Sequence, residues 1–178
     1  MQNETWLKNV PFEIGYFLTG FVEGEGSWNV SIRPRPDRLT QWQPTLSFNV
    51  SQREVTLLVM LNRYLGCGKL RKRKDGVHYF EVLNPNAIVD RVIPFFEKFS
   101  FRSNRMQVNF KIFSEIAFMM ADGKHLKQNG ISQIIRLRET LNEGRGRKRK
   151  YELQDYLQSQ QNNPQRLYAE SDSVQESE

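Results

Sequence analysis

The chain has little of what would tie it to secretion, membranes or redox chemistry. Cys67 is the single cysteine among 178 residues, which excludes an internal disulfide framework and a cysteine-built metal site. No apolar run approaches the ~18 residues of a membrane-spanning helix, and the first residues lack a signal-peptide pattern. The expected setting is intracellular: the cytoplasm of a bacterium, or an organelle such as a chloroplast or mitochondrion, with nothing to choose between them. The length suits one core rather than two. Acid is scarce over most of the chain. Residues 151–178 hold six acids and one base, Arg166, whereas residues 1–150 hold 25 bases and 14 acids, a net charge of +11. A basic body of that size suits a polyanion such as nucleic acid. A membrane surface would prefer a basic amphipathic helix, and many of these bases fall in strand-like segments instead.

The most unusual segment, Tyr16–Ser27, occurs once. Gly20 and Gly24 interrupt a helical apolar run, each at a cost of about 1 kcal/mol relative to alanine. Two glycines four apart on one face indicate close approach of another backbone, as in small-xxx-small helix pairs. Glu23 and Glu25 lie beside the second glycine, and Gly26 can end the helix. A glutamate there meets the partial negative charge of the helix C-terminus, a conflict that a bound cation would remove. The plainer reading is a buried helix with a glycine cap and two solvated glutamates.

Periodicity orders the rest. Residues 1–10 read as a leader anchored by Trp6, and a helix runs from about Pro11 to Glu25, its wide apolar stripe buried on more than one side. Alternation then sets Trp28, Val30 and Ile32 against Asn29, Ser31 and Arg33, and Leu46, Phe48 and Val50 against Thr45, Ser47, Asn49 and Ser51. Arg35 and Arg38 fall in the proline-rich loop between the two runs, and Gln43 just before the second. Ser51 and Glu54 resemble a capping box for a helix reaching Leu65 and ending at Gly66. Asp75-Gly76 marks a second hairpin, with Lys69, Arg71 and Arg73 on one face and His78 just past the turn. Amide, hydroxyl and arginine side chains suit hydrogen bonds to base edges and phosphates, and a two-stranded ribbon fits the major groove. The alternative for the basic run is an ordinary solvated edge.

Asn84-Pro85 opens a helix to about Phe99, which Pro94 should kink or break. Helices follow at about Ser103–Met120 and Ile131–Leu141. The expected fold is α+β: an αββαββα order whose four-stranded antiparallel sheet, apolar on the helix side, forms a saddle, with further C-terminal helices. Residues 1–150 make one domain ending in a basic phosphate-binding arm, 145–150. The stretch Tyr151–Leu157 can form a short helix, and the acidic segment 151–178 is otherwise expected to be disordered, notably from Gln158 onward.

Leu18-Thr19-Gly20-Phe21-Val22-Glu23-Gly24-Glu25-Gly26 resembles the LAGLIDADG motif of homing endonucleases, in the variant ending Gly-Glu-Gly-Ser. The likeness continues into the C-terminal helices, over about residues 11–147. It implies a metal-dependent DNA endonuclease that hydrolyses both strands of a long pseudo-palindromic double-stranded target. A single motif in a family built on paired motifs implies a homodimer, joined through Leu18, Gly20, Phe21 and Gly24. The eighth motif position, the metal-binding acid, is Glu25, and the seventh, Gly24, offers its carbonyl. The metal implied is Mg2+ or another divalent cation such as Mn2+. Gln52 matches the glutamine that lines the family's water network. The basic position falls on Arg105, with Arg102 the other option. Thr19 and Glu23 depart from the usual alanine and aspartate, and Glu23 is expected to be structural. The resemblance also admits an intron RNA maturase, or a catalytically silent sequence-specific DNA-binding protein.

Overall fold

The computed structural model describes residues 5–142 and 149–161. A one-turn helix α1 (Thr5–Lys8) leads to α2 (Phe12–Glu25), with Pro11 immediately before its first residue. Helix α2 passes into β1 (Gly26–Pro34) without a loop. Gly26 ends the helix in extended backbone, φ −82° and ψ 153°, rather than in the left-handed form usual for a glycine cap. Close approach is what requires glycine here, because a Cβ would lie 2.5 Å from the Val22 carbonyl oxygen.

Strand β2 (Trp42–Gln52) returns antiparallel to β1, pairing Trp28 with Phe48 and Asn29 with Ser47. The capping box expected at Ser51 and Glu54 does not form. Strand β2 runs on through Gln52, and α3 (Thr56–Leu65) starts after Val55 without a side-chain cap. Leu58, Leu61 and Leu65 are buried, and α3 ends at Gly66 with φ 64°, as the sequence predicts.

The second hairpin joins β3 (Lys69–Lys72) and β4 (His78–Val82). Gly76 N–H donates to Arg73 O at 3.1 Å and Gly76 takes φ 82°, so the turn is longer than a two-residue hairpin loop and closes on a left-handed glycine. The sheet order is β1-β2-β4-β3, antiparallel throughout. The fold is thus the expected α+β arrangement.

The core fills the helix side of this sheet. Trp28 stacks on its cross-strand partner Phe48 at 4.4 Å and meets Phe96 and Phe101 edge-on, a geometry that adds to plain burial. Helix α4 (Pro85–Ala87) is capped by Asn84 Oδ1, which accepts from the N–H groups of Asn86 and Ala87. A π turn over Ile88–Val92 follows, and then α5 (Ile93–Lys98). Pro94 therefore neither ends nor sharply breaks the helix. The wider turn just before it accommodates a residue that has no N–H to donate.

Helix α6 (Asn104–Ala121) lies against β1 and α4. After a 3-10 turn at Lys124–Leu126, α7 (Gln128–Thr140) begins three residues earlier than the sequence suggests, with Gly130 inside it. Its end covers edge strand β1. Buried Arg138 donates from Nε to Val30 O at 2.9 Å, and Asn142 Nδ2 donates to Trp28 O at 2.7 Å. Those outward carbonyls are thereby closed to further strand pairing.

The chain divides into two compact units, Met1–Gly146 and Arg147–Glu178. Of the second, the described residues include one helix, α8 (Leu153–Gln161). Residues 158–161 are thus helical, where the sequence suggested disorder, and the remainder of that segment lies outside the described residues. Most of the expected basic arm lies outside them too.

Candidate active site and nucleic-acid interface

Helix α2 has two faces with different roles. Gly15, Leu18, Thr19 and Val22 are buried against the chain's own core. Gly15 allows this contact, since a Cβ there would sit 2.4 Å from the Phe99 ring. The Thr19 hydroxyl lies 2.9 Å from Phe99 O and 3.0 Å from Gly15 O, sharing one proton between two acceptors. That contact explains a threonine at the second motif position.

The other face is open. Gly20 and Gly24 are exposed with nothing within 4 Å of an added Cβ, and Phe17, in line with them, is 52% exposed. Of the four residues expected at a dimer interface, Gly20 and Gly24 are open and Phe21 is half-buried. Leu18 is not available, being fully buried within the chain. Phe17, outside the four expected residues, shares their stripe by its spacing of three and seven residues from Gly20 and Gly24.

Glu25 is the last residue of α2. It is exposed, and it makes no hydrogen bond or ion pair among the described residues. Glu23, two residues earlier, points elsewhere. Its Oε1 accepts from Ser103 N–H at 2.5 Å and its Oε2 from Arg102 N–H at 3.2 Å, at the start of α6. The Ser103 hydroxyl, followed by those N–H groups and the Arg102 charge, holds the Glu23 carboxyl below its ordinary pKa against the opposing effect of burial. A carboxylate at that positive helix end is well placed.

This link also fixes the segment carrying Arg102, whose guanidinium lies 5.6 Å from the Tyr16 ring centroid. Arg105 is exposed on the first turn of α6. Gln52 ends β2, two residues past the partner of Gly26, and so lies at the same end of the sheet as Glu25. Its Oε1 accepts from Arg53 N–H at 2.9 Å.

Among the described residues no three His, Cys, Asp or Glu side chains gather into a metal cluster. One chain therefore offers a cation the Glu25 carboxylate and the carbonyls at the end of α2. These hard oxygen donors suit an ion that keeps several waters, and not a structural zinc.

The sheet face away from the core is polar. Register brings Asn29 opposite Ser47, Ser31 opposite Thr45 and Arg33 opposite Gln43, with Asn49 beside Glu81. Gln43 Oε1 accepts from Arg33 Nε and Nη2, at 3.1 and 2.7 Å, and from Arg35 Nη1 at 2.8 Å. Arg35 also grips Asp37 at 2.8 and 2.7 Å, which brings the Asp37 carboxyl down to about 2. Arg38 lies in the β1–β2 turn, near enough to His125 that its charge joins burial in lowering the His125 pKa.

Lys69 and Arg71 share the polar face with Glu81 and Tyr79. Arg73 lies in the turn beyond β3, 3.8 Å from Asp75. His78 does not join that face. It has the parity of buried Phe80 and Val82, pairs with Gln52 and Lys72, and sets its Nδ1 2.9 Å from Arg53 O. Tyr79 and Glu81 stand there instead. Both were missed, although alternation with Phe80 and Val82 marks them.

Residues 18–117 match the LAGLIDADG endonuclease family. The chain belongs to it. Among curated proteins, a probable intron-encoded endonuclease of Neurospora crassa is 29% identical over 132 residues, 72% of this chain and 29% of that protein. Among solved structures, the archaeal intron-encoded homing endonuclease I-Vdi141I in complex with DNA superposes with a TM-score of 0.75 at 30% identity, over 83% of this chain and 93% of that one. The meganuclease I-SmaMI, bound to uncleavable DNA, gives 0.69 at 30% identity, over 78% of this chain and 46% of that one. The chain spans from 24% to 53% of the length of curated endonucleases that it matches. No helix among the described residues is long and apolar enough to cross a membrane.

Proposed function

We propose that two copies of this chain form a site-specific double-stranded DNA endonuclease that works with a divalent cation, magnesium or manganese. One observation carries the reading: the open stripe of Phe17, Gly20 and Gly24 ends at an exposed carboxylate, Glu25, with no partner among the described residues. Isologous pairing of two such stripes sets two Glu25 carboxylates at a dyad, one for each strand. The match to 46% of I-SmaMI supports the same reading, because one copy here corresponds to about half of that chain.

Paired sheets extend the polar faces along one duplex. With half-sites about 10 bp apart per turn, the expected target is about two turns long and nearly palindromic. A bound cation supplies water activation, charge neutralisation at the phosphate and help for the leaving oxygen. Glu25 and the Gly24 carbonyl are the groups that hold it. Gln52 orients water through its amide. Arg105, exposed on the first turn of α6, is the base that sets positive charge against the phosphate, with Arg102 the other option. The basic run 145–150 adds sequence-independent phosphate contacts. The setting is a cytoplasm or organelle, in keeping with relatives named as intron-encoded.

The test is cleavage of a randomised, partly palindromic plasmid library in magnesium and in calcium. Linear product in magnesium with one recovered palindrome is expected. Retention without cutting in both metals would replace the nuclease by a silent DNA-binding protein. Binding to intron RNA alone would replace it by a maturase.

A further inference from the structure

One carboxylate interrupts a face that is otherwise neutral or basic. Glu81 is the only acidic residue in the four strands. Register places it between Asn49 of β2 and Lys69 of β3, and the Ser47 hydroxyl donates to its Oε1 at 3.3 Å. It makes no ion pair among the described residues, although Lys69 is its cross-strand neighbour. It also lines an open groove of about 290 Å3 beside Lys69 and Arg71. The carboxylate is therefore accessible, oriented through one oxygen, and free to accept through the other.

Phosphates repel such a group, so on a DNA-binding face it weakens association unless it meets a donor. The donors exposed in the major groove are the N4 amine of cytosine and the N6 amine of adenine. An ionised carboxylate is acceptor-only. Adenine carries the acceptor N7 beside its amine and repels the second carboxylate oxygen. Cytosine has only a C–H on that side.

We propose that Glu81 reads a cytosine in each half-site by accepting a hydrogen bond from its N4 amine. The assignment rests on the endonuclease reading above, with the polar sheet face in the major groove. It makes Glu81 a specificity residue: the carboxylate lowers affinity for all DNA and restores it where cytosine stands.

The test is selection of bound sites from a randomised half-site library by the wild type, Glu81→Ala and Glu81→Gln. The wild type should require cytosine at one position per half-site. Both variants should lose that preference at least about fivefold, keep the rest of the motif, and still cut their selected sites. Glutamine should move the preference toward adenine, which it can bind through two bonds; being isosteric, it serves if the alanine variant folds poorly. A target with 2-pyrimidinone, which lacks the amine, in place of that cytosine should bind the wild type more weakly and Glu81→Ala unchanged. An unchanged motif in the variants, a uniform change at every position, or equal weakening of wild type and Glu81→Ala by 2-pyrimidinone would overturn the assignment. A wild type that selects no motif would remove the endonuclease reading itself, and the Glu81 role with it.

Discussion

The Glu23 carboxylate accepts the Ser103 backbone N–H at 2.5 Å, joining the end of the motif helix to the start of α6 across 80 residues of chain. Ser103 makes no side-chain cap of its own, and Glu23 accepts the N–H groups of Arg102 and Ser103 just ahead of the helix. Glu23→Ala should therefore lower stability by about 1 kcal/mol, as for loss of a helix cap. Urea unfolding measures it, and an unchanged midpoint would show the contact to be unimportant. The variant should also cut more slowly than its stability alone explains, since the segment that leads into Arg102 and Arg105 is held by the same carboxylate.

The glycines of α2 should separate by face. Gly15→Ala places a methyl 2.4 Å from the Phe99 ring and should cost about 1–3 kcal/mol of overpacking, with the oligomeric state unaffected in whatever folds. A Cβ at Gly20 has open space around it among the described residues, so a Gly20→Leu monomer should stay folded while dimer formation fails. Light scattering with chromatography reads both. A well-behaved, active Gly20→Leu dimer would contradict close packing of the paired helices.

Cys67 supplies a pH dependence. Burial pushes its thiol from 9.0 up to about 11, moderated by the nearby Arg91 charge. The folded chain thus keeps a proton that the unfolded chain releases. Its contribution to stability is intact below pH 9 and is lost as pH rises from about 9 to 11. At pH 8, iodoacetamide should alkylate native protein far more slowly than protein in denaturant. Equal rates would show the thiol to be open.

Much of this was legible in the sequence because the signals are local. Alternation from Trp28 to Ile32 and from Leu46 to Val50 set both the strands and their buried faces, and Gly66 and Gly76 marked turns that only a left-handed residue fits easily. The His78 error was one of parity, since Phe80 and Val82 already assigned even numbers in β4 to the core. Other features depend on distant partners. Gly15 is required by Phe99, and Leu18 is fully buried in the chain's own core. The cover that Arg138 and Asn142 place on β1 joins residues more than 100 apart. Ser51 and Glu54 carried a capping signal, but pairing of Ser51 and Gln52 with Tyr79 and His78 held that stretch in the sheet. Tertiary pairing outweighs a local cap there.

The central claim is that Glu25 is the metal-holding acid at a dyad. Its most direct test is Glu25→Gln, with cutting and binding of the selected target measured on the same preparation. The account predicts tight, sequence-specific binding in calcium and no cleavage in magnesium or manganese. Normal cleavage by the variant would contradict it.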